Sequence, residues 1–177
     1  MKFALIILGV VAFFVLIGYL RLFIKRVTTC FKVRSACNKA GARLITHSPL
    51  WFLALNRGKK WDFAVEKENE MLAVKLFAIK GKLNDLHLGD NGSYTVKKRI
   101  MLFSRWHSAT MSFFSNEKHR PAYDFSISTE KSVKPILLIA PAPLNIRYGK
   151  DKILGNGDSY DGMTIMSVKG LEREINA

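Results

Sequence analysis

Apolar and polar positions are arranged along this chain in two different ways. From Phe3 to Tyr19 every residue is apolar or glycine, and Leu22, Phe23 and Ile24 extend the run before Lys25 and Arg26 close it. A helix rises about 1.5 Å per residue, so ~20 such residues match a hydrocarbon core of about 30 Å. The pattern predicts a transmembrane helix over residues 1–26, uncleaved, because no small-residue cleavage site follows it. Lys2 alone precedes the run, whereas Arg21, Lys25, Arg26, Lys32 and Arg34 crowd its far side. That asymmetry predicts a single-pass membrane protein with its N-terminus outside and its C-terminal domain cytoplasmic.

Beyond residue 26 the periods are short. In residues 30–40, Phe31, Val33, Ala36, Cys37 and Ala40 alternate with Lys32, Arg34 and Lys39 at helical spacing, and Gly41 is a stop signal. Residues 42–46 form a strand candidate. Trp61, Phe63 and Val65 then alternate with Asp62, Ala64 and Glu66; residues 67–70 are a polar turn, and residues 71–80 resume as an apolar strand, which predicts a β-hairpin. Residues 86–96 suggest meander strands around a turn at 89–92. Phe103, Trp106, Thr110 and Phe113 fall at helical spacing within 100–114, and 117–122 reads as a charged loop. Residues 135–140 are continuously apolar, as in a strand buried on both faces. Residues 144–148 and 163–168 suggest edge strands, and 170–175 a closing helix. The expected fold is α+β: the transmembrane helix (1–26), then one basic domain (27–177) with a small mixed or mainly antiparallel sheet and flanking helices.

Charge narrows the class of partner. Four of the 28 Lys and Arg lie in residues 1–26 and none of the 14 Asp and Glu do, so residues 27–177 carry +10 of the chain's +14. Such a surface attracts polyanions, and an anionic leaflet gains about 1 kcal/mol per nearby basic group. Cys30 and Cys37, with His47, His87, His107 and His119, match no metal-ligand spacing. No metal site and no cofactor is expected from them. Arg99, Arg105, Lys118 and Arg120 interleave with Trp106, Phe113 and Phe114, a candidate basic patch for lipid or single-stranded nucleic acid.

One pair could carry chemistry. If the hairpin turn centres on Glu68 and Asn69, Glu66 faces Met71, Ala64 faces Ala73 and Asp62 faces Lys75, so an acid and a lysine meet on one sheet face. With a helix at 30–40 and a strand at 42–46 before it, this layout resembles the PD-(D/E)xK nuclease-like core. The resemblance implies a metal-binding role for Asp62, a catalytic role for Lys75, and Mg²⁺ as cofactor. The chain departs from the pattern at Ala73, where the second acid belongs. A hard divalent cation needs several carboxylates, which makes the resemblance one to a degenerate core. The sequence therefore points to a membrane-anchored, non-enzymatic interaction domain contacting lipid, a protein partner, or both. The alternative is a membrane-tethered nuclease or nucleic-acid-binding domain using Asp62 and Lys75.

Overall fold

The computed structural model describes residues 17, 20, 23–24, 27–46, 58–79, 84–103, 108–143, 145–149 and 152–177, and of residues 84, 98–103 and 108–114 the backbone alone. Helix α1 covers 27–40, and Ile17, Leu20, Phe23 and Ile24 are helical as well. It is followed by β1 (Arg43–Thr46), β2 (Phe63–Glu66) and β3 (Glu70–Ala78), an antiparallel meander. Then come β4 (Asn84–Leu88), β5 (Ser93–Phe103), β6 (Ser108–Phe114) and β7 (Lys118–His119). The chain ends with β8 (Ser132–Ala140), β9 (Asn145–Tyr148), β10 (Lys152–Leu154), β11 (Ser159–Tyr160), β12 (Met163–Met166) and helix α2 (Val168–Asn176).

These strands build two sheets. The first runs β1-β2-β3-β8-β12-β11, with β3, β8 and β12 mutually parallel; the second runs β10-β9-β4-β5-β6, with β7 also on β5. Parallel neighbours cannot be joined by a hairpin and need a long crossover. Between β3 and β8 that crossover is β4 to β7, so the second sheet is inserted into the first. It is completed by β9 and β10, which leave after β8 and return to β11.

Strand alternation assigns the layers. On the central strands Leu72, Val74, Leu76, Ile136 and Leu138 face α1 and α2, where they bury Cys30, Val33, Ala36, Cys37, Leu171 and Ile175. Phe77, Leu137, Ile139 and Ile165 point the other way, onto Leu86, Leu88, Leu154 and Tyr160. The continuous apolar run at 135–140 is thus explained: β8 is covered by helices on one face and by the second sheet on the other.

The fold expectation needs two corrections. One small sheet with flanking helices becomes a mixed α/β structure of two sheets and, among the described residues, two helices. Residues 100–114 account for much of the difference. Phe103, Thr110 and Phe113 fall at helical spacing, yet residues 100–103 and 108–114 lie on β5 and β6, which pair in register from Lys97 with Phe114 to Phe103 with Ser108, while Trp106 lies outside the described residues. Residues 163–166 are likewise an inner strand, not an edge.

The second correction concerns the membrane. The transmembrane, single-pass assignment and the topology drawn from it are contradicted: among the described residues no helix is long and apolar enough to cross a membrane. Helix α1 fails because it is amphipathic, spending its narrow apolar stripe on the sheet and exposing Lys32, Arg34 and Lys39. Most of residues 1–26 lies outside the described residues.

Candidate functional site

The hairpin register is the expected one, with Glu66 opposite Met71 and Ala64 opposite Ala73. Asp62 sits just before β2, where its N–H donates to the Val74 carbonyl at 2.8 Å. That contact carries the alternation one step further, so Asp62 and Lys75 share the face turned towards the second sheet. The Lys75 ammonium lies 3.1 Å from Asp62 Oδ1, and Asp62 Oδ2 accepts the Leu76 N–H at 2.8 Å. Lys75 Nζ also donates to the Lys60 carbonyl at 2.7 Å. Lys75 is fully buried and Asp62 retains 7 % exposure.

A second segment closes over the pair. Lys60 bridges to Asp124, the Trp61 N–H donates to the Asp124 carbonyl at 3.1 Å, and the Asp124 N–H donates to the Lys59 carbonyl at 2.9 Å. Asp124 is itself fixed: its carboxylate accepts the backbone N–H and hydroxyl of Ser126, the hydroxyl first, and these bonds hold its carboxyl below the ordinary range. The chain so pinned lays the Tyr123 ring 5.4 Å from Lys75 Nζ. Burial pushes the Tyr123 phenol above its ordinary value.

Arg120 lies against the same ring. Its guanidinium carbon is 5.3 Å from the Tyr123 centroid and 5.3 Å from the Tyr160 centroid, and it pairs with Asp161. Arg120 Nε has no hydrogen-bond partner among the described residues. The Arg120 N–H donates to the Gly92 carbonyl at 2.9 Å, and Tyr160 donates to the Gly89 carbonyl at 2.7 Å. The result is a row, Asp62, Lys75, Tyr123, Arg120, Tyr160, buried except for the half-buried Tyr123, that ties the first sheet to the turn before β5. Desolvated cation–ring contacts of this kind contribute about 2 kcal/mol each.

Chemically this row is occupied by itself. Both carboxylate oxygens of Asp62 take protein donors, Lys75 is directed at two protein acceptors, and Ala73 adds no ligand. Among the described residues no group of three or more His, Cys, Asp and Glu is placed to hold a metal ion. The residues present do not fit Mg²⁺, and no hydrolytic step is derived through it. The pair is also not the solvated surface pair that cross-strand geometry alone suggests, because the second sheet covers it.

Of the four members of the expected basic patch, the side chains of two are described, and they face different surroundings. Lys118 is exposed on β7, Arg120 is buried, Arg99 lies on β5 where only the backbone is described, and Arg105 lies outside the described residues. Sequence reasoning missed Tyr123, Tyr160 and Asp161 as the partners that bury Arg120. The one local signal was Asp161-Gly162, whose φ angles of 52° and 73° form the tight β11–β12 hairpin. The loop at 155–158 also gains a role. Asn156 Oδ1 accepts the Ser167 N–H at 2.6 Å, and the Ser167 hydroxyl accepts the Gly170 N–H, capping α2. No family model, no curated protein and no solved structure matches this chain.

Proposed function

We propose that the domain of residues 27–177 is a non-enzymatic interaction module whose partner is anionic. The observation that carries this reading is the sealed Asp62–Lys75 pair: a buried, mutually neutralised acid and base offers neither a water-accessible nucleophile position nor free ligand oxygens. A general acid or base must reach the proton it moves, and this pair reaches only its own protein partners. The net +10 of residues 27–177 supplies the attraction to a negatively charged partner.

The test uses the full chain against vesicles of phosphatidylcholine with and without phosphatidylglycerol, and against DNA and RNA, across salt, with and without Mg²⁺. The reading expects salt-sensitive binding to an anionic partner and unchanged nucleic acid. Mg²⁺-dependent cleavage abolished in Lys75→Met would overturn it in favour of the nuclease-like alternative.

A further inference from the structure

The core-facing stripe of α1 (Cys30, Val33, Ala36, Cys37) accounts for one side of the helix only. The opposite side carries Phe31, and the helical residues Leu20, Phe23 and Ile24 that precede α1 are exposed too; the other exposed large apolar residue among those described is Ile153, alone on β10. Phe31 is 69 % exposed, Leu20 54 % and Ile24 53 %, with Phe23 also exposed. Leu20, Ile24 and Phe31 recur at spacings of four and seven, which returns to the same side of a helix. An exposed Phe is common, but an aligned apolar row opposite a satisfied core stripe is not explained by folding.

The chemistry beside that row selects the occupant. Lys32, Arg34 and Lys39 are all exposed on α1, and no acidic residue occurs from Met1 to Trp61. Phe31, Arg34, Ser35, Asn38 and Lys39 border a shallow hollow of about 320 Å³, so an apolar ring and two cations address the same space. A second copy of this chain would bring +14 against +14 and is disfavoured. An apolar row with basic groups beside it is what a helix lying in a lipid interface presents: the row enters the acyl boundary while the cations meet phosphates.

We infer that the outward face of α1, with Leu20, Phe23 and Ile24, is an interfacial face that rests on an anionic lipid surface without crossing it. The inference rests on the interaction reading and gives it a site and a partner. It orients the domain with α1 against the lipid and both sheets beyond it. Lys152, on the outer strand β10 of the second sheet, then points to water.

The experiment uses the full chain with an environment-sensitive thiol label at Ser35→Cys or, separately, at Lys152→Cys. The native thiols are buried and do not compete. On phosphatidylglycerol vesicles the label at 35 should shift to the blue and the label at 152 should not. Reversal of two charges in Arg34→Glu/Lys39→Glu should weaken vesicle partitioning about tenfold or more. Vesicle binding with a silent label at 35 and unchanged affinity in the charge-reversed variant would overturn the site and leave the interaction reading standing. A shift at 35 produced by a protein partner but not by vesicles would overturn the lipid occupant. No binding to vesicles or to nucleic acid would overturn both.

Discussion

Lys75 and Asp62 lie 3.1 Å apart across the β2–β3 hairpin, one position beyond its last ladder pair, in a site where their side chains retain 1 % and 3 % of their exposure. Such burial makes the two residues unequal to their sum. Breaking a buried ion pair by removing one partner costs about 3–5 kcal/mol, because it strands the other charge. Replacing both by apolar groups removes the stranded charge. Asp62→Ala should therefore lower unfolding free energy by about 4 kcal/mol, while Asp62→Leu/Lys75→Met should recover a large part of that loss. Urea unfolding of the single and double variants checks it. Additive losses would mean that the two charges do not interact.

The same pair shows what was legible in the sequence and what was not. Its register followed from two-residue periodicity and a polar turn at Glu68 and Asn69, both local. Its burial did not, because the cover comes from Tyr123 and from a second sheet inserted between β3 and β8. Nothing local announces an insertion. Phe103, Trp106, Thr110 and Phe113 fall at helical spacing while Ile100 to Phe103, apolar at every position, erase the strand alternation, so the local pattern reads as a helix. Arg120 was misread for a similar reason. Beside Lys118 and His119 it looks like part of a solvated loop, and only Tyr160 and Asp161, distant in sequence, reveal that it is buried. The helices at 30–40 and 170–175 were legible because each has an apolar stripe with a stop or cap signal.

Gly92 is the backbone hinge on which Arg120 rests. It adopts φ +74°, and a Cβ there would lie 3.1 Å from both the Arg120 side chain and the Arg120 carbonyl. Left-handed backbone costs an L-residue about 1–2 kcal/mol before any clash. Gly41 has φ +66° with nothing within 4 Å of its would-be Cβ. Gly92→Ala should thus destabilise by about 2 kcal/mol or more and Gly41→Ala by about 1 kcal/mol. Thermal unfolding of the two variants in parallel separates crowding against Arg120 from backbone strain alone; equal shifts would show that the close approach is unimportant.

Asp161 looks like an ordinary surface acid, with a side chain 61 % exposed, yet its partner Arg120 is 3 % exposed. Loss of Asp161 leaves a buried guanidinium whose remaining support is the rings of Tyr123 and Tyr160. Asn tolerates the left-handed φ of 52° at this position, so Asp161→Asn removes charge without changing backbone preference. Surface substitutions normally stay within about 0.5 kcal/mol. Asp161→Asn should exceed that, at about 1–2 kcal/mol, and Arg120→Ala should reach about 3 kcal/mol because it also removes two cation–ring contacts. Denaturant midpoints of both variants decide it, and an Asp161→Asn protein as stable as the parent would show that the pair contributes nothing.

Cys30 and Cys37 give the structure an alkaline limit. Burial pushes the Cys30 thiol from its ordinary 9.0 up to about 12 and the Cys37 thiol up to about 11. Above pH 9.0 the unfolded chain releases these protons while the folded chain keeps them, so the unfolding free energy falls with each step of pH. The stability conferred by the buried neutral thiols is fully present below pH 9.0. It is lost progressively as pH rises through about 11 for Cys37 and about 12 for Cys30. Cys37→Ala removes one such group and should flatten the fall in stability between pH 9.0 and about 11, even though its stability at neutral pH is lower for want of the buried sulfur. The companion measurement is thiol alkylation: the thiolate is the reactive form, so the native chain at pH 8 should react far more slowly than the urea-unfolded chain. Rapid alkylation of the folded protein, or a pH profile unchanged in Cys37→Ala, would contradict the packing of α1 on the sheet through these two sulfurs.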